Sequence, residues 1–265
     1  MYIDFHVHAF TDNIAERAMA KLVSVAKSPA YTNGTEAETR ARLREWGVDY
    51  GVLLPIATKP TQQENINNWA AAVNHGNLIS FGSVHPYAEN AVQEVERIKS
   101  LGLKGIKIHP DYQGVYLFDS AWDKVFEKCG ELNLPVIIHM GFDPISPKEH
   151  RAMPYDLAET AKRFPKAKFI GAHLGGMFAW ESVRKYLVGI KNVWLDTAFT
   201  AGMIDEKLAL DIIKAHGTDR ILFASDLPWH PSYMEKELVE RLPLSDEEKD
   251  RIFYKNAAEL LGLNI

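Results

Sequence analysis

The side chains best suited to chemistry stand at the start of the chain. His6 and His8 are separated by one residue at the end of an apolar run, and Asp4 precedes them. Because side chains alternate faces along a β-strand, Asp4, His6 and His8 are predicted to share one face, opposite the apolar residues. Two imidazoles that converge from one strand can grip a divalent metal ion. Since burying both without a partner is unfavourable, we interpret the pair as metal ligands.

Other histidines stand at the carboxyl ends of predicted strands, where a parallel barrel collects its active-site residues. Six of the ten histidines do so: His6, His8, His85, His109, His139 and His173. Small residues beside His139 and His173 would let the backbone and a ligand approach closely. Asp226 ends the last predicted strand and could bind metal, accept a proton from water, or do both.

Four histidines have weaker positional arguments for a role in the site. His85 and His109 each precede a proline, so either could cap the barrel rim or touch substrate. His75 and His216 lie at the carboxyl ends of predicted helices, where a cation suits the helix dipole, and we expect both to be structural.

The elements that must position these residues alternate between short β-rich runs and longer helical patterns. Eight strands are predicted, at 2–8, 50–54, 78–84, 105–109, 135–139, 168–173, 192–196 and 220–226. A final helix is predicted over 246–261, with Ser245 as N-cap and Glu248 at the capping-box position. Eight such units predict a single-domain (β/α)8 TIM barrel over residues 1–265, with an extra C-terminal helix. An open doubly wound sheet would normally have a glycine-rich turn after its first strand, and this chain has His-Val-His-Ala there.

Composition narrows the class of protein. The chain has 265 residues and a net charge of −5 without a basic cluster, so nucleic acid is not an expected partner. Neither a leader-like start nor an apolar run of about 18 residues is present, and no membrane association is expected. The single cysteine, Cys129, lies in a helical pattern and is predicted to be a buried packing thiol. One unpaired cysteine fits the reducing cytoplasm.

Four motifs together resemble the amidohydrolase superfamily, and more narrowly its amidohydrolase 2 branch. They are Asp-Phe-His-Val-His at 4–8, His139 after Pro-Val-Ile-Ile, Ala-His-Leu-Gly-Gly at 172–176 and Ser-Asp-Leu-Pro-Trp at 225–229. The closing segment at 256–262 is also similar to that branch, which contains hydrolases and aminocarboxymuconate-semialdehyde decarboxylase-like enzymes. The resemblance implies that His6, His8, His139 and Asp226 bind one divalent metal, most often zinc. It further implies a catalytic imidazole at His173 and suggests a homodimer.

The chemistry of these residues agrees with that implication. Three neutral imidazoles and a carboxylate leave room for a water on zinc, whose charge lowers the pKa of that water toward about 7. His173 could polarise a carbonyl or deliver a proton. Some superfamily members bridge two metals through a carboxylated lysine, and Lys107 is predicted to face the same way as His109. We expect one metal, because an inward lysine is usually satisfied by an acidic partner such as Asp4.

The loops after the strands are expected to hold the substrate. Candidate contacts are His109, Tyr112, Phe142, Arg151 and Trp229, with Arg151 as an anchor for a carboxylate. The leading hypothesis is a metal-dependent hydrolase of a small amide, lactone or ester. The alternative is non-oxidative decarboxylation of a small unsaturated or aromatic carboxylic acid. A binding protein that has lost catalysis is a third hypothesis, and the complete set of five metal and catalytic residues counts against it.

Overall fold

The computed structural model describes residues 1–265 and contains eight short strands. They are β1 (Ile3–Val7), β2 (Tyr50–Leu53), β3 (Leu78–Ser80), β4 (Ile106–Ile108), β5 (Val136–Ile138), β6 (Phe169–Gly171), β7 (Val193–Asp196) and β8 (Ile221–Leu222). All paired strands are parallel, in the order β1-β2-β3 and β4-β5-β6-β7-β8.

Two parallel bridges join these two sheets into a ring. Gly82 pairs with Ile106 after β3, and Val7 pairs with Leu227 after β8. At the second junction, the backbone N–H of Asp226 donates to the His6 carbonyl at 2.8 Å. The eight strands therefore surround a common interior, and the α/β barrel prediction is confirmed.

Helices follow the strands around the ring. They are α1 (Asp12–Ala26), α2 (Glu36–Glu45), α3 (Gln63–Ala72), α4 (Ala91–Ser100), α5 (Pro110–Gln113), α6 (Asp123–Leu132), α7 (Pro154–Arg163), α8 (Trp180–Tyr186), α9 (Glu206–His216) and α10 (Ser232–Arg241). Cys129 is buried in α6, as predicted. None of the helices combines the length and apolar character that crossing a membrane requires.

The predicted C-terminal helix is interrupted by one wider segment. It consists of α11 (Asp246–Asp250), a π-helical turn (Arg251–Lys255) and α12 (Asn256–Leu261). The capping box forms as predicted, because the Ser245 hydroxyl accepts from the Glu248 N–H and the Glu248 carboxylate accepts from the Ser245 N–H. The Asn256 amide donates to the Ile221 carbonyl at 2.8 Å, and α12 therefore closes the barrel at the amino-terminal ends of the strands.

The strands end earlier than predicted because the functional residues leave the β conformation. His173 has a φ of 61° and Asp226 a φ of 77°, both in the left-handed region. These residues therefore lie just beyond the regular pairing, at the carboxyl-end rim of the barrel. The opposite end of the interior is filled by buried apolar side chains such as Phe5 and Phe81, whose ring centroids are 5.7 Å apart.

The prediction that Asp4 shares a face with His6 and His8 is wrong. The register of β1 against β2 shifts between Asp4 and Val7, which breaks the simple alternation. The Asp4 carboxylate instead accepts hydrogen bonds from the hydroxyls of Ser225, at 2.5 Å, and Ser232, at 2.6 Å. Because Ser232 is the first residue of α10, Asp4 fastens that helix to the strands and takes no part in the histidine cluster.

Candidate metal and catalytic site

Three predicted metal ligands converge at the carboxyl end of the barrel. The Nε2 atoms of His6 and His8 are 3.1 Å apart, and Asp226 Oδ1 lies 3.4 Å from the first and 3.2 Å from the second. Tetrahedral zinc with bonds of about 2.0–2.1 Å requires ligand atoms roughly 3.3 Å from one another. The spacing of these three atoms therefore fits a small tetrahedral cation.

Hydrogen bonds orient both imidazoles so that their Nε2 atoms face the cluster. His6 Nδ1 lies 2.8 Å from Asp196 Oδ2, and His8 Nδ1 donates to the Leu54 carbonyl at 2.8 Å. A proton held on Nδ1 leaves the Nε2 lone pair free for a metal ion. Burial lowers the pKa of His6 well below its usual range, and the nearby Lys107 lowers it further, which keeps the ring neutral.

Asp196 is a site residue that the sequence reasoning missed. Its carboxylate also accepts the backbone N–H groups of His173, at 2.8 Å, and Ala198, at 3.1 Å. Burial raises the pKa of this carboxyl. A signal was available, since Asp196 is a carboxylate at the end of β7, the same position that drew attention to Asp226.

His139 and His173 adjoin this group but are arranged differently. His173 donates from Nδ1 to the Ala198 carbonyl at 3.0 Å, and its Nε2 lies 3.0 Å from His139 Nδ1. Because His173 uses its Nδ1 proton for Ala198, the neutral pair requires His139 to donate from Nδ1. His139 Nε2 then carries a lone pair, and this buried atom has no hydrogen-bond partner. A buried nitrogen lone pair without a donor is what a metal ligand would present.

The structure nevertheless does not bring all four predicted ligands into one group. His6, His8 and Asp226 form one set of mutually close ligand atoms, whereas His139 groups with His109 and Asp143. His139 stacks on His109 with ring centroids 4.0 Å apart, and its Nε2 lies 3.7 Å from Asp143 Oδ2.

Lys107 faces inward beside the cluster, as predicted, and the acidic groups that act on it are Asp196 and Asp226 rather than Asp4. Its Nζ lies 3.1 Å from His6 Nε2, and the side chain is fully buried. Burial lowers the pKa of Lys107 to about 8, an effect opposed by the negative charges of Asp196 and Asp226. The Asp4 carboxylate, considered as its partner, is instead hydrogen-bonded to Ser225 and Ser232.

A cavity of about 410 Å³ opens from this cluster, a size typical of small-molecule sites. It is lined by His8, the side chains of His139, His173 and Asp226, and four of the five predicted substrate contacts: His109, Tyr112, Phe142 and Trp229. Tyr112, His109 and His139 form a stack in its wall, with centroid separations of 3.6 and 4.0 Å.

Arg151 is the predicted substrate contact that the structure does not place at the cavity. Its guanidinium is 2.9 Å from the Glu149 carboxylate and lies over the Tyr116 ring, 5.5 Å from the centroid. Its backbone N–H donates to Asp111. The loop after β5 therefore directs this arginine to acidic and aromatic neighbours, and the prediction of a carboxylate anchor is corrected.

The remaining histidines also find defined places. His85 Nε2 donates to the Gln113 carbonyl at 3.2 Å and lies outside the cavity lining, so of its two possible roles it caps the rim. His216 is structural, as expected, but not as a cation. It donates from Nε2 to the Val193 carbonyl at 2.9 Å, and burial lowers its pKa to about 4.

Asp143 is a second residue that the sequence reasoning missed. It accepts from the Tyr112 hydroxyl at 3.1 Å and has His109 Nε2 at 3.6 Å. Burial, together with the neighbouring Asp143 charge, raises the pKa of Tyr112 and keeps the phenol protonated. Asp143 belongs to the long loop after β5, where no periodicity or strand end marks it.

Two enzymes of known activity are similar to this chain in sequence. The chain is 25% identical to the 2-keto-4-carboxy-3-hexenedioate hydratase of Sphingobium sp. (strain NBRC 103272 / SYK-6), over 97% of this chain and 94% of that enzyme. It is also 25% identical to the 2-amino-3-carboxymuconate-6-semialdehyde decarboxylase of Dictyostelium discoideum, over 66% of this chain and 58% of that enzyme.

A solved structure shares the fold. It is the dihydroxybenzoic acid decarboxylase of Polaromonas sp. JS666 with bound manganese and the inhibitor 2-nitroresorcinol, which is 16% identical with a TM-score of 0.75, covering 100% of this chain and 97% of that one. The relatives are named enzymes of a metal-dependent superfamily, and this chain has residue groups that could hold a metal ion. The family model described as Amidohydrolase matches residues 3–263, and the chain accordingly belongs to the amidohydrolase family, in its amidohydrolase 2 branch.

Proposed function

We propose that this chain is a zinc-dependent hydrolase of a small amide, lactone or ester. One metal ion would be held by His6, His8, His139 and Asp226. The observation that carries the proposal is the set of His6 Nε2, His8 Nε2 and Asp226 Oδ1, which lie 3.1–3.4 Å apart. The unpartnered Nε2 of His139 supports it as the fourth ligand. A divalent ion bound there would supply Lewis-acid polarisation of a carbonyl and lower the pKa of a water.

Two side chains of the protein would carry out the proton transfers. Asp226 lines the cavity and is the carboxylate placed to accept a proton from the attacking water. His173 is buried, and that burial lowers its pKa and favours the neutral ring. Since its Nδ1 proton is engaged with Ala198, Nε2 is the ring atom left to carry a proton to the leaving group, and it would have to give up its hydrogen bond with His139 Nδ1 to do so.

Non-oxidative decarboxylation is the second candidate, and the names of the relatives favour it. One curated relative is a decarboxylase and another is a hydratase of a carboxylated substrate. In that reaction His173 would protonate the carbanion that forms when CO₂ leaves. We place hydrolysis first because, apart from the proposed metal ion, no cationic side chain lines the cavity to hold a carboxylate of the substrate.

The deciding experiment is a product analysis on protein purified without chelators and loaded with Zn²⁺. Neutral esters, lactones and amides would be assayed by acid release, and unsaturated and aromatic carboxylic acids by CO₂ release. We expect hydrolysis of a neutral substrate that falls by about 10²–10⁴ in His173→Ala. CO₂ release without any hydrolysis would reverse the order of the two candidates. Absence of both activities would favour a binding protein, and activity unchanged in His173→Ala would show that His173 takes no part in the reaction.

A cytoplasmic location and a homodimer complete the proposal. The free, buried thiol of Cys129 suits a reducing compartment. Fractionation of producing cells tests the location, and sedimentation equilibrium tests the homodimer that the family suggests.

A further inference from the structure

The cavity that begins at the histidine cluster continues along one face of α1. Ile14, Ala18, Leu22 and Ala26 all line it. Their spacing of four residues places them on one stripe of the helix. At about 1.5 Å per residue, the stripe is roughly 18 Å long. The cavity therefore has an apolar arm, which we define by these four residues and the facing side chains Ile66 and Trp69 of α3.

This stripe of α1 has no protein partner of its own. Of the fifteen residues of the helix, only Ala15 and Met19 are buried. Ile14 is 37% exposed, and Ala18, Leu22 and Ala26 are only half-buried. Most of the stability of a surface helix comes from packing its apolar face. An apolar occupant of the arm would provide the packing that the protein leaves incomplete.

The side chains around the cavity offer no cation to an anionic group in the arm. The lining has no lysine or arginine, and two carboxylates, Asp143 and Asp226, face the space. The six side chains that define the arm are all uncharged. The proposed metal ion could hold one carboxylate at the cluster, but a carboxylate in the arm would lose its hydration without gaining a cationic partner.

We propose that the substrate carries an extended, uncharged apolar group that lies in the arm along α1, with its reacting carbonyl at the histidine cluster. This inference rests on the proposed function, because it assigns the arm to the substrate of that same site. The occupant is a part of the substrate, since one continuous cavity joins the arm to His8, His173 and Asp226. A second copy of the chain seated on α1 would cover the stripe from outside and leave the arm unused.

The test measures binding separately from turnover. Isothermal titration calorimetry would follow straight-chain primary alcohols from butanol to octanol, which have no bond to hydrolyse, with succinate as the anionic probe. Each added methylene should tighten binding about threefold to fourfold, as expected when one CH₂ group is buried. Succinate should bind at least tenfold more weakly than hexanol. An affinity that does not change with chain length, or preferred binding of succinate, would overturn the proposal.

Paired substitutions on the same helix locate the binding. Ala18→Phe fills the arm, and Ala20→Phe places the same side chain at an exposed position of α1 outside the cavity lining. We expect the first to weaken octanol binding at least tenfold and the second to leave it unchanged. Leu22→Asp and Ser24→Asp form a second pair, in which only Leu22→Asp should weaken octanol binding. This second pair keeps the test valid if Ala18→Phe fails to fold. Equal effects of the two substitutions within each pair would contradict the proposal. It would also be contradicted if Ala18→Phe dissociated a dimer of the chain but left alcohol binding unchanged.

The outcome separates this inference from the proposed function. Alcohol binding that depends on chain length, without turnover of any ester, would support the arm and reject the hydrolase. Hydrolysis of short esters, without any preference for longer acyl or alkyl chains, would support the hydrolase and reject the arm.

Discussion

His6 Nδ1 lies 2.8 Å from Asp196 Oδ2, and both side chains are buried at the carboxyl end of the barrel. The same carboxylate accepts the His173 N–H, so one residue of β7 orients a candidate metal ligand and the candidate catalytic imidazole. A ligating histidine commonly gives its second ring N–H to a carboxylate, which fixes its orientation and raises its basicity. Asp196 is therefore expected to set metal affinity without touching the metal.

Replacing Asp196 with asparagine should lower the affinity for Zn²⁺ about 10–100-fold, because the amide is a weaker acceptor for the His6 N–H. Competition with a chromophoric chelator measures the change. Asp211→Asn, on the exposed face of α9, is the matched control and should keep the wild-type affinity. A wild-type affinity in Asp196→Asn would show that His6 is held in place without this carboxylate.

The number of metal ions bound per chain tests whether Lys107 supports a second metal. We expect one equivalent of metal per chain, retained in Lys107→Gln and lost in His8→Ala. His75→Ala, at an exposed position, should retain it. Inductively coupled plasma mass spectrometry on dialysed protein gives the numbers. Two equivalents in the wild type, falling to one in Lys107→Gln, would show that Lys107 supports a second metal.

The buried His216 should make stability depend on pH. Its pKa is lowered from 6.5 to about 4, so the unfolded chain takes up a proton first as the pH falls. Stability from this group is complete above pH 6.5 and is lost progressively as the pH falls toward 4. Between pH 7 and pH 5 the free energy of unfolding should fall by about 2 kcal/mol on this account.

Urea denaturation of the wild type and His216→Gln at both pH values isolates this contribution. The variant should be less stable at pH 7, because a buried hydrogen-bonded ring is lost, but its stability should change less with pH. His75→Gln, at an exposed site, should keep the wild-type pH dependence. Equal pH dependence in the wild type and His216→Gln would mean that His216 is charged in the folded protein.

Sequence reasoning predicted the parts of this protein that follow a repeating rule. Alternation of strands and helices specified the barrel, and the carboxyl ends of strands identified His6, His8 and Asp226, which the structure brings together. Asp196 obeyed the same rule and could have been found. The failure at Asp4 has a local cause, because a register shift within one strand changes which side chains share a face.

The loops lie beyond such rules. Arg151 and Asp143 stand in the same long loop, and only its three-dimensional path turns the arginine toward Glu149 and the aspartate toward the cavity. The arm along α1 could not be predicted from the sequence for a related reason. A stripe of four apolar residues indicates one side of a helix, but not whether protein or ligand packs against it.

Gly141 should be the least replaceable residue of the loop after β5. Its φ is +86°, and an added Cβ would lie 2.4 Å from both the backbone N and the O of Met177. The sequence suggested that a small residue here lets a ligand approach, but the close approach is between two backbone segments, which pair at this position. Because Met177 and Phe142 line the cavity, forcing these segments apart should disturb the substrate site as well as stability.

Gly141→Ala is expected to lower the free energy of unfolding by about 3 kcal/mol, combining backbone strain with a clash that no side chain can relieve. Gly114→Ala is the matched control, since its φ is +70° but no atom lies within 4 Å of the added Cβ. That control should cost only about 1 kcal/mol, from the left-handed conformation alone. Urea denaturation at pH 7 measures both values. Equal losses in the two variants would mean that the backbone pairing of residues 141 and 177 opens freely in solution.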